Sequence, residues 1–223
     1  MITERSHNNF IFFKLNQSFR ALSREQQEHS KKEFVHLLSS APDMKIFSYT
    51  TLGLKSYATM MLWIRGHEIS RMQEYLATLM QSGLGTHLEI TYTLFGIERQ
   101  SVYVGKRTAQ DQAINEETRL PFLVIYPFTK TEDWYFIPME ERRKLMGEHI
   151  LVGREHPEIR QLLLYSYGID DHEFIVSYEM ERLEDFQTLI IDLRATTVRK
   201  YTQNDLPIFT CIYRPTEDIL ALL

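Results

Sequence analysis

His149 combines a ligand-forming side chain with an inward position on a predicted helix. Leu145, Met146 and Val152 lie three or four residues away, so the ring projects from the apolar face of that helix. An inward imidazole can donate a hydrogen bond through one nitrogen and offer a lone pair from the other, as an axial haem ligand does. A core histidine hydrogen-bonded to a carbonyl has the same pattern, so the residues alone leave both interpretations open.

Tyr126 and Lys130 form a second candidate pair, on the strand that begins FLVIYPF. Alternate residues of a strand point to one face, so Phe122, Val124 and Phe128 share a face with both of them. A buried phenol needs a hydrogen-bond partner, and a nearby lysine could hold a carboxylate or accept a proton. A core tyrosine beside a lysine whose amine reaches solvent is an equal alternative.

The helix that carries His149 has recognisable ends. Pro138 suits a first helical turn because its missing N–H would have no partner there, and Glu140 complements the positive end of the helix dipole. Gly153 favours a stop, with Arg154 near the negative end. The pattern therefore predicts a helix from Pro138 to Gly153, with its charged side in water.

The order of elements repeats along the chain. Self-alignment places Glu25 on Glu140 and Gly53 on Gly168, and each half contains a strand, a charged amphipathic helix, two strands, a second helix and further strands. This is the β-α-β-β-α-β order of a ferredoxin-like unit, twice over. The sequence therefore predicts an α+β fold of two ferredoxin-like repeats with antiparallel sheets, which can bury their open faces against each other.

The division between the repeats is predicted at a polar, helix-tolerant stretch, GKRTAQDQAINEET. Residues 1–104 form a structural N-terminal repeat in this interpretation, 105–118 the linker, and 119–223 the C-terminal repeat that carries the candidate ligand.

Charge and composition exclude several function classes. Lys and Arg number 25 against 30 Asp and Glu, giving a net charge of -5 with no long block of one sign, so neither nucleic acid nor a membrane surface is an expected partner. The lone Cys211 excludes an internal disulfide and favours a reducing compartment. No apolar run is long enough to span a bilayer, and MITERSHNNF lacks the build of a signal peptide. We expect a cytoplasmic protein.

Three motifs resemble one known family. WYFIPMEERRKLMGEH, from Trp134 to His149, resembles the haem-ligand segment of the chlorite dismutase superfamily, particularly its coproheme decarboxylase branch. YPFTK, which begins at Tyr126, is similar to that branch's Y-P-M-x-K, and GIDDHEF, which begins at Gly168, is similar to a hairpin of the superfamily. The resemblance covers the second half from Tyr126 to Phe186, and the first half through its architecture alone.

The resemblance implies a dimeric α+β barrel in which the two ferredoxin-like halves enclose a core. It also implies that only the second half binds haem and that subunits assemble into homo-oligomeric rings, usually pentamers. Phe34 occupies the place of His149 in the first repeat, which fits this asymmetry because a phenyl ring cannot ligate iron.

The resemblance also assigns roles to single residues. His149 matches the proximal iron ligand, and Tyr126 matches a tyrosine that is oxidised to a radical and abstracts hydrogen from a propionate. Gln161 falls at the distal position, where chlorite dismutases have an arginine. Arg160 becomes the alternative if the strand register slips by one residue. The segment 195–198 has no acid to bond the histidine, which chlorite dismutases do have.

Further substrate contacts follow from the same resemblance. Arg119 resembles an arginine that binds a propionate, and Lys130 lies near enough to Tyr126 along the strand to hold another carboxylate. Trp134 matches a tryptophan near the proximal side, and its main energetic role is expected to be that of a core aromatic. A serine that some members use against a propionate is replaced around Asp205.

The function implied is a peroxide-dependent oxidase that decarboxylates iron coproporphyrin III to protohaem, so that the porphyrin is cofactor and substrate at once. The partners are this porphyrin and hydrogen peroxide, and haem b is the alternative cofactor. A chlorite dismutase is the competing enzyme, disfavoured because both the distal arginine and the proximal carboxylate are missing. A non-catalytic haem or porphyrin carrier is the alternative from another class.

Overall fold

The computed structural model describes residues 5–103 and 118–223, which form two compact units. The first unit contains the described residues up to Ile97 together with Cys211–Leu223, and the second is Glu98–Thr210. The predicted linker lies outside the described residues except for Thr118, so the predicted repeat boundaries stay a prediction.

The first unit has the strand order of a ferredoxin-like sheet. Strands β1 and β3 pair antiparallel, with β4 on the far side of β1 and β2 on the far side of β3. A capping box between Ser23 and Gln26 fixes the start of its longest helix. The elements are β1 His7–Leu15, α1 Gln17–Arg20, α2 Arg24–Ser39, β2 Lys45–Thr50, β3 Met60–Gly66, α3 Ile69–Gln81, a 3₁₀ turn Gly85–His87 and β4 Leu88–Glu98.

The second unit repeats that order. Strand β7 pairs antiparallel with β5 and with β6, and β5 also pairs with the short β8. The elements of this unit are β5 Phe122–Lys130, α4 Glu132–Phe136, α5 Met139–Arg154, β6 Arg160–Tyr165, β7 Phe174–Met180, α6 Leu183–Arg194, a 3₁₀ turn Thr197–Tyr201 and β8 Thr202–Asn204. The chain then continues through β9 Phe209–Tyr213, at the division between the units, to α7 Thr216–Ala221 of the first unit, which buries Ile219 and Leu220 in the core of that unit.

Equivalent glycines mark the turn between the second and third strands of each repeat. Gly53 and Gly168 have φ angles of 78° and 68°, a left-handed conformation that costs glycine little because it has no Cβ. The prediction of an α+β fold with two antiparallel ferredoxin-like repeats is confirmed. Closure of the sheets into a barrel stays a prediction.

Helix α5 is unusual among the longer helices of the second unit. It spans Met139–Arg154, close to the predicted bounds, yet none of its residues is fully buried. The buried core of this unit forms elsewhere, between strands β5 and β7 and helix α6, around residues such as Val124, Leu189 and Leu193. The apolar side of α5 therefore faces a space that side chains do not fill.

Across residues 5–103 and 118–223, every helix is too short or too polar to cross a lipid bilayer.

Candidate functional site

The space beside α5 is a cavity of about 440 Å³ within the second unit. Its floor is the sheet face that carries the even-numbered residues of β5 and β7, and its walls come from β6, α5 and α6. Most of the surface is apolar, with a few polar groups, as in ligand pockets of other proteins. The strand residues that line it include Tyr126, Phe128, Lys130, Gln161, Leu163, Tyr165, Phe174, Val176 and Tyr178.

His149 lines the cavity, and its hydrogen bond determines which nitrogen is available. Its Nδ1 lies 3.4 Å from Oγ1 of Thr196. The Thr196 hydroxyl donates its single proton to the carbonyl of Leu193 at 2.6 Å, so Oγ1 can only accept from the imidazole. This assigns the proton to Nδ1 and leaves the lone pair on Nε2, the arrangement of a metal-binding histidine.

The electrostatic surroundings keep His149 neutral. Burial, followed by the charge of Lys130, lowers its pKa to about 4, while Glu148 acts in the opposite direction. An imidazole with a depressed pKa keeps its lone pair throughout the physiological range. The residue that the sequence placed on the apolar face of a helix is therefore in the state that iron ligation requires.

Lys130 is held against aromatic rings at the end of β5. Its ammonium lies 4.9 Å from the centroid of Trp134 and 5.7 Å from that of Phe128. Burial, followed by the charge of Arg199, lowers its pKa to about 8, while Glu173 acts in the opposite direction. Such an amine can bind a carboxylate when charged and accept a proton when neutral.

Tyr126 lies further along the same strand face. Burial raises its pKa well above the usual value, and the nearby Tyr178 and Asp205 raise it further. The phenol therefore stays protonated in the folded protein, and any oxidation of it must remove the proton together with the electron.

Of the two neighbours Arg160 and Gln161, only Gln161 lines the cavity. Strand alternation turns Arg160 the other way, where its Nη1 donates to the carbonyl of Thr118 at 2.8 Å and lies 3.8 Å from Glu179. The register of β6 against β7 pairs Gln161 with Tyr178. The residue that the resemblance assigned to the distal side of a haem is therefore a neutral amide that faces the cavity.

Arg119 is not among the residues that line the cavity. Its guanidinium pairs with the carboxylate of Glu179 at 3.1 Å, and both side chains are fully buried. Glu179 alternates with Tyr178 along β7, so this ion pair lies on the sheet face opposite the cavity. The structure does not bring Arg119 together with Tyr126 and His149.

We expect Glu179→Gln to reduce the free energy of unfolding by about 3–5 kcal/mol, because it leaves a buried guanidinium without its counterion. Urea unfolding measures this change. The control is Glu184→Gln, whose partner Arg182 lies 3.9 Å away at the surface, where a change of about 1 kcal/mol or less is expected. Equal losses in the two variants would contradict the buried-pair interpretation.

Five other arginines do line the cavity, and two of them share one acidic partner. Arg194, at the end of α6, lies 3.5 Å from Asp205, and Arg199, in the following 3₁₀ turn, lies 3.1 Å from the same carboxylate. Sequence reasoning missed both. The signal available was the basic residues of RATTVRK, directly after a helix that packs on the sheet.

Trp134 is buried and lines the cavity, where it also packs among aromatic rings. Its ring centroid lies 5.5 Å from Tyr201 and 6.1 Å from Tyr103. The residue therefore combines both interpretations that the sequence left open, as a core aromatic and as part of the cavity wall.

Known proteins resemble this chain over most of its length. Coproheme decarboxylase of Mycolicibacterium smegmatis is 26% identical over 176 residues, covering 78% of this chain and 75% of that protein. Coproheme decarboxylase of Staphylococcus carnosus is 28% identical over 167 residues, covering 68% of this chain and 66% of that protein. A structure of chlorite dismutase from Candidatus Nitrospira defluvii in complex with imidazole matches with a TM-score of 0.89 at 26% identity, over 99% of this chain and 96% of that one.

A family model described as chlorite dismutase matches residues 24–214, which is most of the chain. The resemblance carried by the three sequence motifs is therefore confirmed, and the chain belongs to the chlorite dismutase family.

Proposed function

We propose that this chain is a haem-dependent oxidoreductase that uses hydrogen peroxide to decarboxylate iron coproporphyrin III to protohaem. The observation that carries the proposal is the common cavity of three groups: an imidazole with its lone pair on Nε2, a protonated phenol and a lysine with a lowered pKa. Both curated relatives described above are named coproheme decarboxylase.

The cavity residues suit an iron porphyrin. His149 would hold the iron through Nε2, while apolar residues such as Met146 and Ile150 of α5 would contact the macrocycle. The bound iron porphyrin would supply the redox chemistry with hydrogen peroxide, and the protein would supply position and electrostatics.

Tyr126 would transfer hydrogen between the oxidised centre and the substrate. Its O–H gives up a proton and an electron, and the resulting phenoxyl oxygen takes a hydrogen atom from a propionate side chain. Loss of a second electron and cleavage of the bond to the carboxylate then release carbon dioxide and leave a vinyl group. Each round consumes one propionate, one hydrogen peroxide and one proton, and yields one vinyl group, one carbon dioxide and two water molecules.

Three cations would position the carboxylates of the substrate. Lys130 shares a strand face with Tyr126, so it can hold the reacting propionate close to the phenol. Arg194 and Arg199 would bind other propionates in exchange for Asp205, since a planar guanidinium matches a carboxylate. We assign no propionate to Arg119 because its guanidinium is paired with Glu179.

Two features disfavour chlorite chemistry. Gln161 supplies a neutral amide, which cannot stabilise a departing oxyanion as a guanidinium does. On the other side of the cavity, the partner of His149 is the hydroxyl of Thr196 rather than a carboxylate. A chlorite dismutase remains the second candidate because the solved relative with a TM-score of 0.89 is one.

The partner of His149 should set the reduction potential of bound haem. Replacing Thr196 by the similarly shaped Asp would give Nδ1–H an anionic acceptor and make the imidazole a stronger donor, whereas Val would remove the acceptor. We expect the potential to be lowest in Thr196→Asp, intermediate in the unchanged chain and highest in Thr196→Val. Spectroelectrochemical titration of the three proteins measures this order, and three equal potentials would contradict it.

The test of the function uses the chain with each substrate. The protein is mixed with iron coproporphyrin III and hydrogen peroxide, and mass spectrometry follows the stepwise loss of carboxyl groups. A parallel reaction contains protohaem and chlorite and is followed by oxygen evolution. Vinyl products support the proposal, oxygen from chlorite supports the second candidate, and binding without either product identifies a porphyrin carrier.

The cytoplasmic location and the ring of subunits stay predictions. Mass photometry of the porphyrin-loaded protein tests the ring, and a mass of five chains is the expected result.

A further inference from the structure

Tyr178 is a second phenol beside Tyr126 in the cavity. The register of β5 against β7 pairs Tyr126 with Val176 and Val124 with Tyr178, so the two tyrosines are diagonal neighbours on one sheet face. Their ring centroids are 6.2 Å apart, with 29° between the ring planes. Tyr178 is only 6% exposed.

Neighbouring side chains also restrict the ring of Tyr178. Its ring lies 5.1 Å from that of Phe186 on α6, and cross-strand Gln161 lies on its other side. A side chain confined by a helix and two strands has little freedom to turn away, so its hydroxyl is a fixed neighbour for whatever approaches Tyr126.

Each phenol affects the pKa of the other. Contact with Tyr178 raises the pKa of Tyr126, whereas contact with Tyr126 lowers that of Tyr178, although burial still raises the pKa of Tyr178 to about 12. Donation of a hydrogen bond stabilises the protonated form of a phenol. These opposite directions match an arrangement in which Tyr126 donates and Tyr178 accepts.

We propose that Tyr178 is a positioning residue for Tyr126 and that the two phenols act as one oxidisable pair. Resting on the function proposed above, the pair works by reversing its hydrogen bond. Tyr126 donates to Tyr178 before oxidation, and Tyr178 donates to the phenoxyl oxygen of Tyr126 afterwards.

The chemistry of the pair is balanced. Hydrogen peroxide, acting through the bound iron porphyrin, is the oxidant that removes one electron and one proton from Tyr126. Tyr178 keeps its own proton while it donates to the phenoxyl oxygen. If the hydrogen atom moves from Tyr178 to Tyr126, the O–H bond of Tyr178 breaks as that of Tyr126 forms. The radical then lies on Tyr178, with no net oxidation or reduction of the pair.

The environment explains why such a partner is useful. Tyr126 is partly buried in a mostly apolar wall, and Asp205 raises its pKa, whereas Arg194 acts in the opposite direction. Because the surrounding side chains are mostly apolar, a phenoxyl oxygen there needs a donor from the protein to replace the lost hydrogen bond. Tyr178 supplies one without introducing a charge.

The first test needs no porphyrin. Tyrosine labelled with ¹³C at Cζ is incorporated, and the Tyr126 signal is identified by its absence in Tyr126→Phe. We expect Tyr178→Phe to shift that signal at neutral pH, and Tyr126→Phe to shift the Tyr178 signal in return. Tyr75→Phe is the control, because Tyr75 donates to the carbonyl of Leu37 at 2.8 Å in the first unit. A Tyr126 signal unmoved by Tyr178→Phe overturns the proposal.

The second test concerns the radical. After hydrogen peroxide is added to the protein loaded with iron coproporphyrin, the tyrosyl signal is recorded by electron paramagnetic resonance. A hydrogen bond to a phenoxyl oxygen lowers its largest g value, so we expect a higher value in Tyr178→Phe. An identical value overturns the proposal. Failure of the unchanged chain to decarboxylate would refute the proposed function instead, since the label experiment is independent of that reaction.

Discussion

Tyr126→Phe should bind iron coproporphyrin III as the unchanged chain does, yet form vinyl products at least about 100-fold more slowly, the lower end of what a positioned proton-transfer group contributes. The substitution removes one oxygen atom from the wall of a 440 Å³ cavity and leaves the ring in place. Binding depends on His149, the apolar wall and the cations, whereas hydrogen transfer depends on the phenolic oxygen.

The measurement separates binding from chemistry. Absorption titration gives the affinity for the porphyrin, and mass spectrometry after addition of peroxide gives the rate of carboxyl loss. Tyr75→Phe removes a partly buried hydroxyl of the first unit and should match the unchanged chain in both. Product formation at the ordinary rate by Tyr126→Phe would exclude Tyr126 as the hydrogen carrier.

His149→Ala should bind iron coproporphyrin III more weakly than the unchanged chain, by more than roughly 100-fold. That factor is what a metal site loses when a residue hydrogen-bonded to a ligand is removed, and here the ligand itself is removed. In the folded chain this imidazole is partly buried and neutral, with its Nδ1 proton directed at Thr196. The variant removes the lone pair that would bind iron and leaves the apolar wall, so any remaining binding would be that of a porphyrin without its protein ligand.

The absorption spectrum distinguishes this result from unfolding. Loss of the axial nitrogen changes the Soret band, and imidazole added to the solution should restore both the band and part of the affinity. His29→Ala is the matched control, because it removes an exposed histidine from α2 of the first unit. A normal spectrum in His149→Ala would mean that another group ligates the iron.

Local periodicity was enough to predict much of the candidate site. The positions of Leu145, Met146 and Val152 oriented His149, and the parity of β5 placed Tyr126 and Lys130 on one face, since both patterns depend only on neighbours along the chain. The repeated order of elements also predicted two ferredoxin-like repeats, because hydrophobic spacing distinguishes strands from helices.

The partner of His149 was predictable only in part. The absence of an acid from residues 195–198 is visible in the sequence. That Thr196 directs its proton to Leu193, and so can only accept from the imidazole, depends on how the end of α6 packs beside α5. The sequence shows which groups are missing, but not how a hydroxyl orients.

Only the tertiary structure shows which arginines lie at the cavity. Sequence similarity pointed to Arg119, yet its guanidinium meets Glu179 on the face away from the cavity, while Arg194 and Arg199 reach Asp205 beside it. The three arginines have the same charge and side chain, and composition cannot distinguish them. Each one's partner follows from the strand or turn that carries it.

The sequence by itself determined the two repeats, the inward face of the helix at His149 and the shared face of Tyr126 and Lys130. Only the tertiary structure decided that Tyr178 meets Tyr126, because their contact depends on the register between β5 and β7. A one-residue change in that register would turn one phenol away from the cavity. Helical and strand periods are local properties of a chain, whereas pairing between distant strands is set by the packing of the whole unit.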